Sequence, residues 1–382
     1  MSKIDELIAE LCPEGVEHKK LGEVIRKVTG ANKKIAKKDI IEQGKYPVYT
    51  QGVSKKPDGY SNNADEVISD TPVILYGDHT NVLKWIEDDF IAGADGVKLV
   101  STDINSGLND RYLYYVLQDR VREIADGYAR HFSKLRQISI PIPPLEVQRA
   151  IVGVLDSFTE LEAELEAELE ARKKQYEFYR NQLLILKNIE GVEYKKIKDV
   201  YKRLRGTPIT AGKMREIQVP NGEVRVFAGG KTVIDANEQD IPKANITKVP
   251  AVLVQSRGVI DAIFYDKPFT FKNEMWAYTS DNMTSVKFLY YMLKNNIDYF
   301  RDAASGMGSL PQISLRVTEN FTMPIPPAKE QRCIVSILDK FDKLTTDISV
   351  GLPAEINARR KQYEYYRSKL LTFDEKKEPA HV

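Results

Sequence analysis

The sequence predicts an α+β protein in which two homologous mixed α/β domains are joined and spaced by two long antiparallel coiled-coil helices, with pseudo-twofold symmetry. Three observations lead to this prediction. The chain of 382 residues repeats itself once, each repeat contains short apolar runs typical of buried strands, and each repeat ends in a long stretch of strong helix formers. A chain of this length is expected to hold two or three domains.

The repeat is visible in two pairs of motifs. "PIPPLEVQRAIVGVLDSFTEL" begins at Pro141 and "PIPPAKEQRCIVSILDKFDKL" begins at Pro324. "ARKKQYEFYRNQLL" begins at Ala171 and "ARRKQYEYYRSKLL" begins at Ala358, while "GVEHKKLGEV" and "GVEYKKIKDV" open the two domains. A period near 180 residues is too long for a solenoid, and therefore indicates two homologous domains.

Each domain is predicted to contain strands and helices. "YPVYTQG" and "VRVFAGG" are short strands that run into glycine turns, and "TPVILYGD" from Thr71 and "VPAVLVQS" from Val249 are apolar, β-branched runs typical of buried strands. Leu113–Val121 and Phe288–Ile297 are predicted to be aromatic-rich helices packed on the sheet.

The two long helices are predicted to begin after the "PIPP" segments, because a residue that precedes proline is pushed out of the α region. Apolar and long side chains then recur every three or four residues, as in a coiled-coil seam with one stutter. The seam consists of Ile151, Val154, Phe158, Leu161, Leu165, Leu169, Arg172, Tyr176, Tyr179, Leu183 and Leu186. The second helix contains "GLPAEI", so we expect a break or kink near Gly351–Pro353.

The N-terminal "KIDELIAEL" aligns with "YRNQLLILK" from Tyr179, which predicts an N-terminal helix packed at the distal end of the bundle. The predicted boundaries are 1–14 for this helix, 15–140 for the first domain, 141–190 for the central helix, 191–323 for the second domain, 324–373 for the C-terminal helix and 374–382 for a disordered tail.

The composition is that of an ordinary globular protein, with 42% hydrophobic and 29% charged residues. The chain has no apolar run long enough to span a membrane, its N-terminus lacks the apolar core of a signal peptide, and its two cysteines form no framework. We therefore expect a cytoplasmic protein without a membrane partner. Charge is unevenly distributed, since 191–322 contains 19 basic and 14 acidic residues whereas 146–190 contains 6 and 10.

The sequence lacks the common catalytic motifs. "GGKT" at 229–232 has Arg225 where a phosphate loop needs glycine, the four histidines have no metal-ligand spacing, and the tetrapeptide typical of adenine methyltransferases is missing. We predict no catalysis, no cofactor and no metal.

The motifs "PIPPLEVQRAIVGVLD", "ARKKQYEFYR" and "GLPAEINARRKQYEYYR", with two variable domains between them, resemble the specificity subunit of type I restriction–modification systems over essentially the whole chain. The resemblance implies that each domain is a target-recognition domain reading one half of a bipartite site in double-stranded DNA. It also implies that the helices set the spacer and dock two methyltransferase (modification) subunits, and that restriction (translocase) subunits complete the enzyme. The proline in the second helix departs from this pattern and makes the symmetry approximate.

Because the two domains differ in sequence, their half-sites should differ and the site should be asymmetric. Two other functions stay open at this point. The chain could be a coiled-coil adaptor without a role in DNA binding, or a self-contained nuclease or methyltransferase, which the missing motifs disfavour.

Candidate DNA contacts are basic and polar side chains predicted to lie on loops beside strands, because such groups bond to base edges and phosphates. In the first domain they are Gln51, His79, Lys84, Arg130, His131 and Lys134, and in the second Lys231, Gln255, Arg257, Ser309, Gln312 and Arg316. Lys202, Arg203 and Arg205 in "YKRLRG" are expected to contact phosphates. For each residue the alternative is ordinary surface charge.

The long helices contain more aromatic residues than one coiled-coil seam can bury. These residues are Tyr176, Phe178, Tyr179, Tyr363, Tyr365 and Tyr366. If Tyr176 and Tyr179 face the partner helix, Phe178 points elsewhere, as does Tyr365. Matching exposed aromatic surfaces suit two copies of one partner. The alternative is that all six side chains are buried within the bundle.

Overall fold

The computed structural model describes residues 3–26, 34–93, 96–124, 131–186, 189–230, 232–241, 245–304, 310–347 and 349–376. The chain divides into two compact units, 1–165 with 356–382 and 166–355. Each unit contains one α/β domain and part of the long helices, as the repeat in the sequence predicts.

The first domain contains nine strands and four short or medium helices among its described residues. The strands are β1 (Glu17–Lys20), β2 (Lys34–Ile35), β3 (Tyr46–Tyr49), β4 (Gly59–Ser61), β5 (Val73–Gly77), β6 (Leu83–Ile86), β7 (Ile91–Gly93), β8 (Val97–Val100) and β9 (Ser139–Ile142). The helices are α1 (Lys3–Leu11), α2 (Leu21–Val24), α3 (Asp110–Arg120) and α4 (Phe132–Leu135), with 3₁₀ turns at Lys37–Asp39, Ala64–Glu66 and Val121–Glu123.

These strands form two sheets and a ribbon. The antiparallel sheet has the order β6-β5-β8, the mixed sheet has the order β2-β7-β3-β4, and β1 pairs with β9. The apolar run that the sequence assigns to a buried strand is β5, whose five residues are all buried. Helix α3 packs on this sheet and buries six consecutive residues, Tyr112 to Leu117.

The long helix α5 (Leu145–Leu184) comes next, and the second domain begins after it. Its strands are β10 (Glu193–Lys196), β11 (Lys202–Leu204), β12 (Val224–Phe227), β13 (Val233–Ala236), β14 (Ala251–Gln255), β15 (Asp261–Tyr265), β16 (Phe269–Phe271), β17 (Trp276–Thr279) and β18 (Thr322–Ile325). Its helices are α6 (Ile197–Val200), α7 (Ala211–Ile217), α8 (Met283–Asn295), α9 (Ile297–Asp302) and α10 (Leu315–Glu319), with a 3₁₀ turn at Glu238–Asp240. The helices α11 (Ala328–Thr346) and α12 (Leu352–Leu370) follow the second domain.

The second domain repeats three strands of each sheet of the first, while β2 extends one sheet of the first domain and β11 extends the other sheet of the second. Its sheets have the orders β11-β17-β14-β15 and β13-β12-β16, and β12 pairs in parallel with β16 as β3 does with β7. The ribbons share one register, since His18 lies opposite Pro141 in β1–β9 and Tyr194 lies opposite Pro324 in β10–β18. The first proline of each "PIPP" motif therefore lies in an edge strand at the end of its domain, where a missing amide hydrogen is tolerated.

Helix α5 is continuous through the tetrapeptide repeat. Leu161, Leu165 and Leu169 are half-buried, whereas the alanines and most of the glutamates between them are exposed. In the first unit, Phe158 contacts Tyr363 and Tyr366 of α12, and Glu162 pairs with Arg360 at 2.6 Å. Contacts on α12 therefore move towards its N-terminus as α5 advances, which makes these helices antiparallel.

The second long helix is interrupted where the sequence places its glycine and proline. Helix α11 ends at Thr346 and α12 begins at Leu352. The Gly351 amide donates to the Asp347 carbonyl at 3.0 Å, and a Cβ on Gly351 would lie 2.5 Å from the Lys343 carbonyl oxygen, so a side chain does not fit there. Pro353 stands in the first turn of α12, where the missing amide hydrogen costs nothing.

Helix α1 packs in the core of the first unit, next to the end of α12, and Lys369 pairs there with Asp5 at 2.9 Å. The expectation of a disordered tail from 374 is wrong at its start. The Asp374 carbonyl accepts the Val16 amide at 2.9 Å, and the Lys376 amide donates to the Val16 carbonyl at 2.9 Å. These backbone hydrogen bonds pair 374–376 with the strand entry at Val16; 377–382 lie outside the described residues.

Within the described ranges of the chain, no helix combines the length and the apolar character that crossing a membrane requires.

Candidate nucleic-acid interface

Three loops meet in each domain. In the first domain, L1 (50–52) follows β3, L2 (78–81) follows β5, and L3 (131–132) leads into α4. In the second domain, the corresponding segments are L1 (228–230) after β12, L2 (256–258) after β14 and L3 (311–313) before α10. Loops that meet on a rigid sheet are a usual place for binding residues.

In the first domain, side-chain and backbone hydrogen bonds join the loops. The His79 amide of L2 donates to Oε1 of Gln51 in L1 at 3.2 Å, and Thr80 Oγ1 donates to the Gln51 carbonyl at 2.8 Å. The His131 amide of L3 donates to the Asp78 carbonyl at 2.9 Å. L2 is thus hydrogen-bonded to both other loops.

The second domain joins its loops in a similar way. Nε2 of Gln255, the last residue of β14, donates to the Gly230 carbonyl in L1 at 2.7 Å, and the Gly230 amide donates to the Arg257 carbonyl at 3.2 Å. Arg257 forms an isolated antiparallel bridge with Gln312 of L3. In both domains, therefore, the side chain of a glutamine joins L1 to the L2 side of the site. In the first domain the glutamine is Gln51 of L1, and in the second it is Gln255, at the end of the strand that precedes L2.

The predicted DNA contacts fall into three groups. Exposed residues are Lys134, Lys202, Arg203, Arg205, Arg257, Gln312 and Arg316, and half-buried residues are Gln51 and His79. Buried residues are Lys84, His131 and Gln255, which are 3%, 2% and 5% exposed. Arg130, Lys231 and Ser309 lie outside the described residues. The exposed and the half-buried residues of this set stay predicted DNA contacts.

The expectation that Lys84, His131 and Gln255 are accessible loop side chains is wrong: Lys84 and Gln255 lie on β6 and β14, and the His131 side chain is buried although the residue lies on L3. Lys84 is on β6, where its ammonium lies 3.5 Å from Oδ2 of Asp58 and over the ring of Tyr49. Burial lowers the pKa of Lys84, although the Asp58 carboxylate opposes this shift. An ammonium enclosed in this way cannot reach a DNA phosphate without a change in the structure.

Arg203 has a partner within its own domain. Its guanidinium lies 3.1 Å from the Glu319 carboxylate, whereas Lys202 and Arg205 are exposed beside it. Lys202 and Arg205 are therefore better placed for phosphate contacts than Arg203.

Sequence reasoning missed three carboxylates near the loops. Asp78 accepts the Phe132 amide of L3 at 2.8 Å and is 5% exposed, and Asp58 and Glu274 accept amides of L1. Asp78 could have been found, because it directly follows the buried strand β5. No sequence pattern pointed to Asp58 or Glu274, because nothing in the sequence shows which loop a distant carboxylate contacts.

The aromatic residues of the long helices form two matching exposed pairs. Phe178 and Tyr365 are 59% and 64% exposed. Phe178 stands edge-on to Tyr179 with centroids 5.5 Å apart, and Tyr365 stands edge-on to Tyr366 at 5.3 Å. The alternative that all six aromatic residues are buried is therefore wrong.

The inner aromatic residues stack within their own units. Tyr176 and Tyr179 stack on Phe341 of α11, and Tyr363 packs on Phe158 of α5. This packing turns Phe178 and Tyr365 to the surface. Among the described residues, no group of three His, Cys, Asp or Glu side chains is placed to hold a metal ion.

A family model described as the type I restriction modification DNA specificity domain matches 13–171 and, a second time, 189–358. The chain belongs to this family. The two matched ranges correspond to the two halves of the internal repeat, so each half is one specificity domain.

Two relatives match this chain along nearly its whole length. The chain is 33% identical over 400 residues to the specificity subunit of the type I restriction enzyme EcoR124I/EcoR124II of Escherichia coli, covering 98% of each chain. It is 31% identical over 387 residues to a putative type I restriction enzyme specificity subunit of Haemophilus influenzae, covering 94% of this chain and 96% of that one. Such subunits are the non-catalytic components of type I complexes.

Solved structures share the fold. The S subunit of a type I restriction–modification system from M. genitalium superimposes with a TM-score of 0.65 at 18% identity, covering 93% of this chain and 96% of the other. A chain from a study of complex assembly and conformational transition in the type I R-M system gives 0.56 at 15% identity, covering 94% and 98%. The predicted fold class is confirmed: this is a type I specificity subunit with two target-recognition domains.

Proposed function

We propose that this specificity subunit reads a bipartite, asymmetric DNA site, with each domain contacting one half-site through L1, L2 and L3. The observation that supports this proposal most directly is a shared scaffold with different loop residues. The strands that the domains share keep one order, β6-β5-β8 against β15-β14-β17 and β7-β3-β4 against β16-β12-β13, and the ribbon registers agree. The loops differ, since L1 has TQG against AGG and L2 begins DHT against SRG. Equal scaffolds with unequal loops suit two different half-sites.

In the second domain, the candidate base contacts are Arg257, Gln312 and Arg316, which are exposed on L2, on L3 and on α10. Arginine can donate two hydrogen bonds to guanine and glutamine can bond to adenine in the major groove. In the first domain, the corresponding candidates are His79 on L2 and Lys134 on α4. Lys202 and Arg205 are candidate phosphate contacts, which position the protein without selecting a sequence.

We propose two further roles for the long helices. The pairs Phe178–Tyr179 and Tyr365–Tyr366 suit two copies of one partner, because their exposure and ring geometry are alike. That partner would be the methyltransferase subunit, and restriction (translocase) subunits would complete the complex in the cytoplasm, where chromosomal DNA lies. The length of α5 would set the number of base pairs between half-sites.

The test is the methylation pattern of cells that express the full chain with its methyltransferase subunit and no other methyltransferase. We expect one bipartite, asymmetric motif with a fixed spacer. Arg257→Ala should relax the half-site read by the second domain by about tenfold, since one bidentate contact contributes roughly 1–3 kcal/mol of discrimination. Arg301→Ala is the matched control, because Arg301 is exposed on α9 and pairs with Asp298. A palindromic or continuous motif, or no motif, would contradict the proposal.

A further inference from the structure

In the first domain, a carboxylate holds the start of L1 and is itself paired with a buried lysine. Oδ2 of Asp58 accepts the Thr50 amide at 2.8 Å and Thr50 Oγ1 at 3.0 Å, and Nζ of Lys84 lies 3.5 Å from the same oxygen. A Cβ on Gly52 would lie 3.1 Å from Oδ1 of Asp58, so L1 passes directly over this carboxylate.

In the second domain, a different carboxylate has the same relationship to L1. Oε1 of Glu274 accepts the Gly229 amide at 3.4 Å, and Nζ of Lys272 lies 3.0 Å from that oxygen. Ser256 Oγ donates to the backbone carbonyl of Glu274, which ties L2 to the same residue.

The two arrangements come from different places in the fold. Asp58 immediately precedes β4 and Lys84 lies on β6, whereas Glu274 and Lys272 lie together in the turn between β16 and β17. The repeat therefore does not align them, and each domain places a lysine-paired carboxylate under L1 by its own route. Their common feature is the amide of L1 that each carboxylate accepts.

The electrostatics of these groups suit a supporting role. Lys84 is 3% exposed, and burial lowers its pKa, although Asp58 opposes this. Burial alone would raise the pKa of Glu274, but the hydrogen bond from Lys272 and bonds from backbone amides hold it below its usual range. An ionised carboxylate accepts amide hydrogen bonds more strongly than a neutral group does.

We infer that Asp58 with Lys84, and Glu274 with Lys272, are positioning residues that fix L1 for reading of the half-site, rather than residues that contact DNA. This inference rests on the proposed function. In the first domain, Gln51 of L1 receives the His79 amide, so a displacement of L1 also displaces L2. The pairs therefore act on base selection through the loops and contribute no phosphate contact.

The test uses the full chain with its methyltransferase subunit, and measures both half-site discrimination and the salt dependence of DNA binding. Asp58→Ala should lower discrimination in the first half-site by about tenfold, as expected for the loss of charged hydrogen bonds, and leave the second half-site unchanged. Glu274→Ala should do the reverse. Lys84→Met should act as Asp58→Ala does, while the slope of log K against log salt stays constant. Loss of a phosphate contact by Lys84 would instead reduce that slope by about 0.9 and overturn the inference.

Hydrogen exchange separates a displaced loop from an unfolded domain. In Asp58→Ala, the Thr50 amide should lose protection while the amides of Ile74 and Leu75 in β5 keep theirs. If β5 also loses protection, Asp58→Asn, which keeps the side-chain volume, takes over the test and should give a smaller loss in the same direction. Asp70→Ala is the control, because the Asp70 side chain is 91% exposed.

The outcomes distinguish the two claims. If the wild-type chain reads no bipartite site, the proposed function fails and this inference fails with it. If the wild-type chain reads both half-sites, and the Asp58 variant that keeps its fold discriminates the first half-site as well as the wild type does, only the inference about positioning fails.

Discussion

The carboxylate of Asp156 on α5 lies 2.7 Å from the guanidinium of Arg111 on α3. The Tyr115 hydroxyl donates to the same carboxylate. In the second unit, the carboxylate of Asp339 on α11 accepts a hydrogen bond from Nζ of Lys287 at 2.5 Å and another from the Tyr291 hydroxyl at 2.6 Å. These residues occupy matching positions of the repeat, so each domain is attached to a long helix by an aspartate, a cation and a tyrosine.

We predict that Asp156→Ala lowers the stability of the α3–α5 packing by about 2 kcal/mol, because it removes hydrogen bonds to a charged group and leaves Arg111 without its carboxylate. Hydrogen exchange of the α3 amides measures this loss locally, which matters because a two-domain chain need not unfold in one step. Glu160→Ala, on an exposed position of the same helix, should change protection little. Equal protection in both variants would contradict the prediction.

Buried tyrosines should make the fold sensitive to alkali. Burial raises the pKa of Tyr176, Tyr201 and Tyr278 to about 12, whereas an unfolded tyrosine ionises near pH 10. The unfolded state therefore releases protons first. The contribution to stability is complete below about pH 10 and is lost as the pH rises towards 12.

Absorbance of phenolate and circular dichroism, recorded together, check this expectation. The buried tyrosines should ionise at higher pH than the exposed ones, and their phenolate absorbance should appear together with the loss of ellipticity. Tyr201→Phe should remove one tyrosine from this high-pH part of the titration. Ionisation of every tyrosine near pH 10 with the fold intact would show that burial does not protect these phenols.

Much of the fold could be predicted because the sequence contains it twice. The "PIPP" segments, the β5 and β14 runs and the α3 and α8 helices each have a counterpart, so the repeat identifies elements that composition alone leaves ambiguous. The interruption before Leu352 was also expected, since glycine and proline disfavour a continuous helix.

The placement of individual side chains could not be predicted to the same depth. Lys84 lies between Leu83 and Trp85 in β6, and nothing near it in the sequence shows that its ammonium is buried beside the distant Asp58. Gln255 resembles a base-reading residue in the sequence, yet its amide is used by the Gly230 carbonyl. Such contacts join residues far apart in the chain, and a local pattern contains no information about them.

Phosphate contacts can be separated from base contacts by their salt dependence. We predict that Lys202→Gln with Arg205→Gln weakens binding to all sequences alike and reduces the slope of log K against log salt by roughly 2. Arg203→Gln should have a smaller effect, because Arg203 already pairs with Glu319. Titrations at several salt concentrations measure the slopes. Relaxed specificity at a single base position would show that these residues read bases instead.

The exposed aromatic pairs should control assembly. We predict that Phe178→Glu lowers the number of bound methyltransferase subunits from two to one, and that Phe178→Glu with Tyr365→Glu abolishes binding, because a charge in an apolar contact must be desolvated. Native mass spectrometry of co-purified complexes measures the stoichiometry. The control is Glu177→Gln, on an exposed neighbouring position. Unchanged stoichiometry in the double variant, with the fold retained, would contradict this docking surface.

The tetrapeptide repeat of α5 should determine the spacer between the half-sites. Four residues lengthen a helix by about 6 Å and turn it by a net rotation of about 40°, while one base pair of DNA turns by about 34°. Insertion of one "LEAE" therefore rotates the C-terminal part of α5 by about the angle of one base pair. It also keeps Leu161, Leu165 and Leu169 near their half-buried face. The advance exceeds one base-pair step of about 3.4 Å, so tilting or bending must absorb the difference.

We predict that deletion or addition of one tetrad between Leu161 and Ala171 changes the spacer by about one base pair and leaves both half-site sequences as they are, because no residue of L1, L2 or L3 moves within its domain. Methylome mapping of the variants measures spacer and half-sites together. A variant that changes one "LEAE" to "LQAQ" keeps the length and removes two charges, so it should keep the wild-type spacer. A spacer that changes with the charge rather than with the length, or a half-site that changes with the tetrad, would show that α5 does not set the distance.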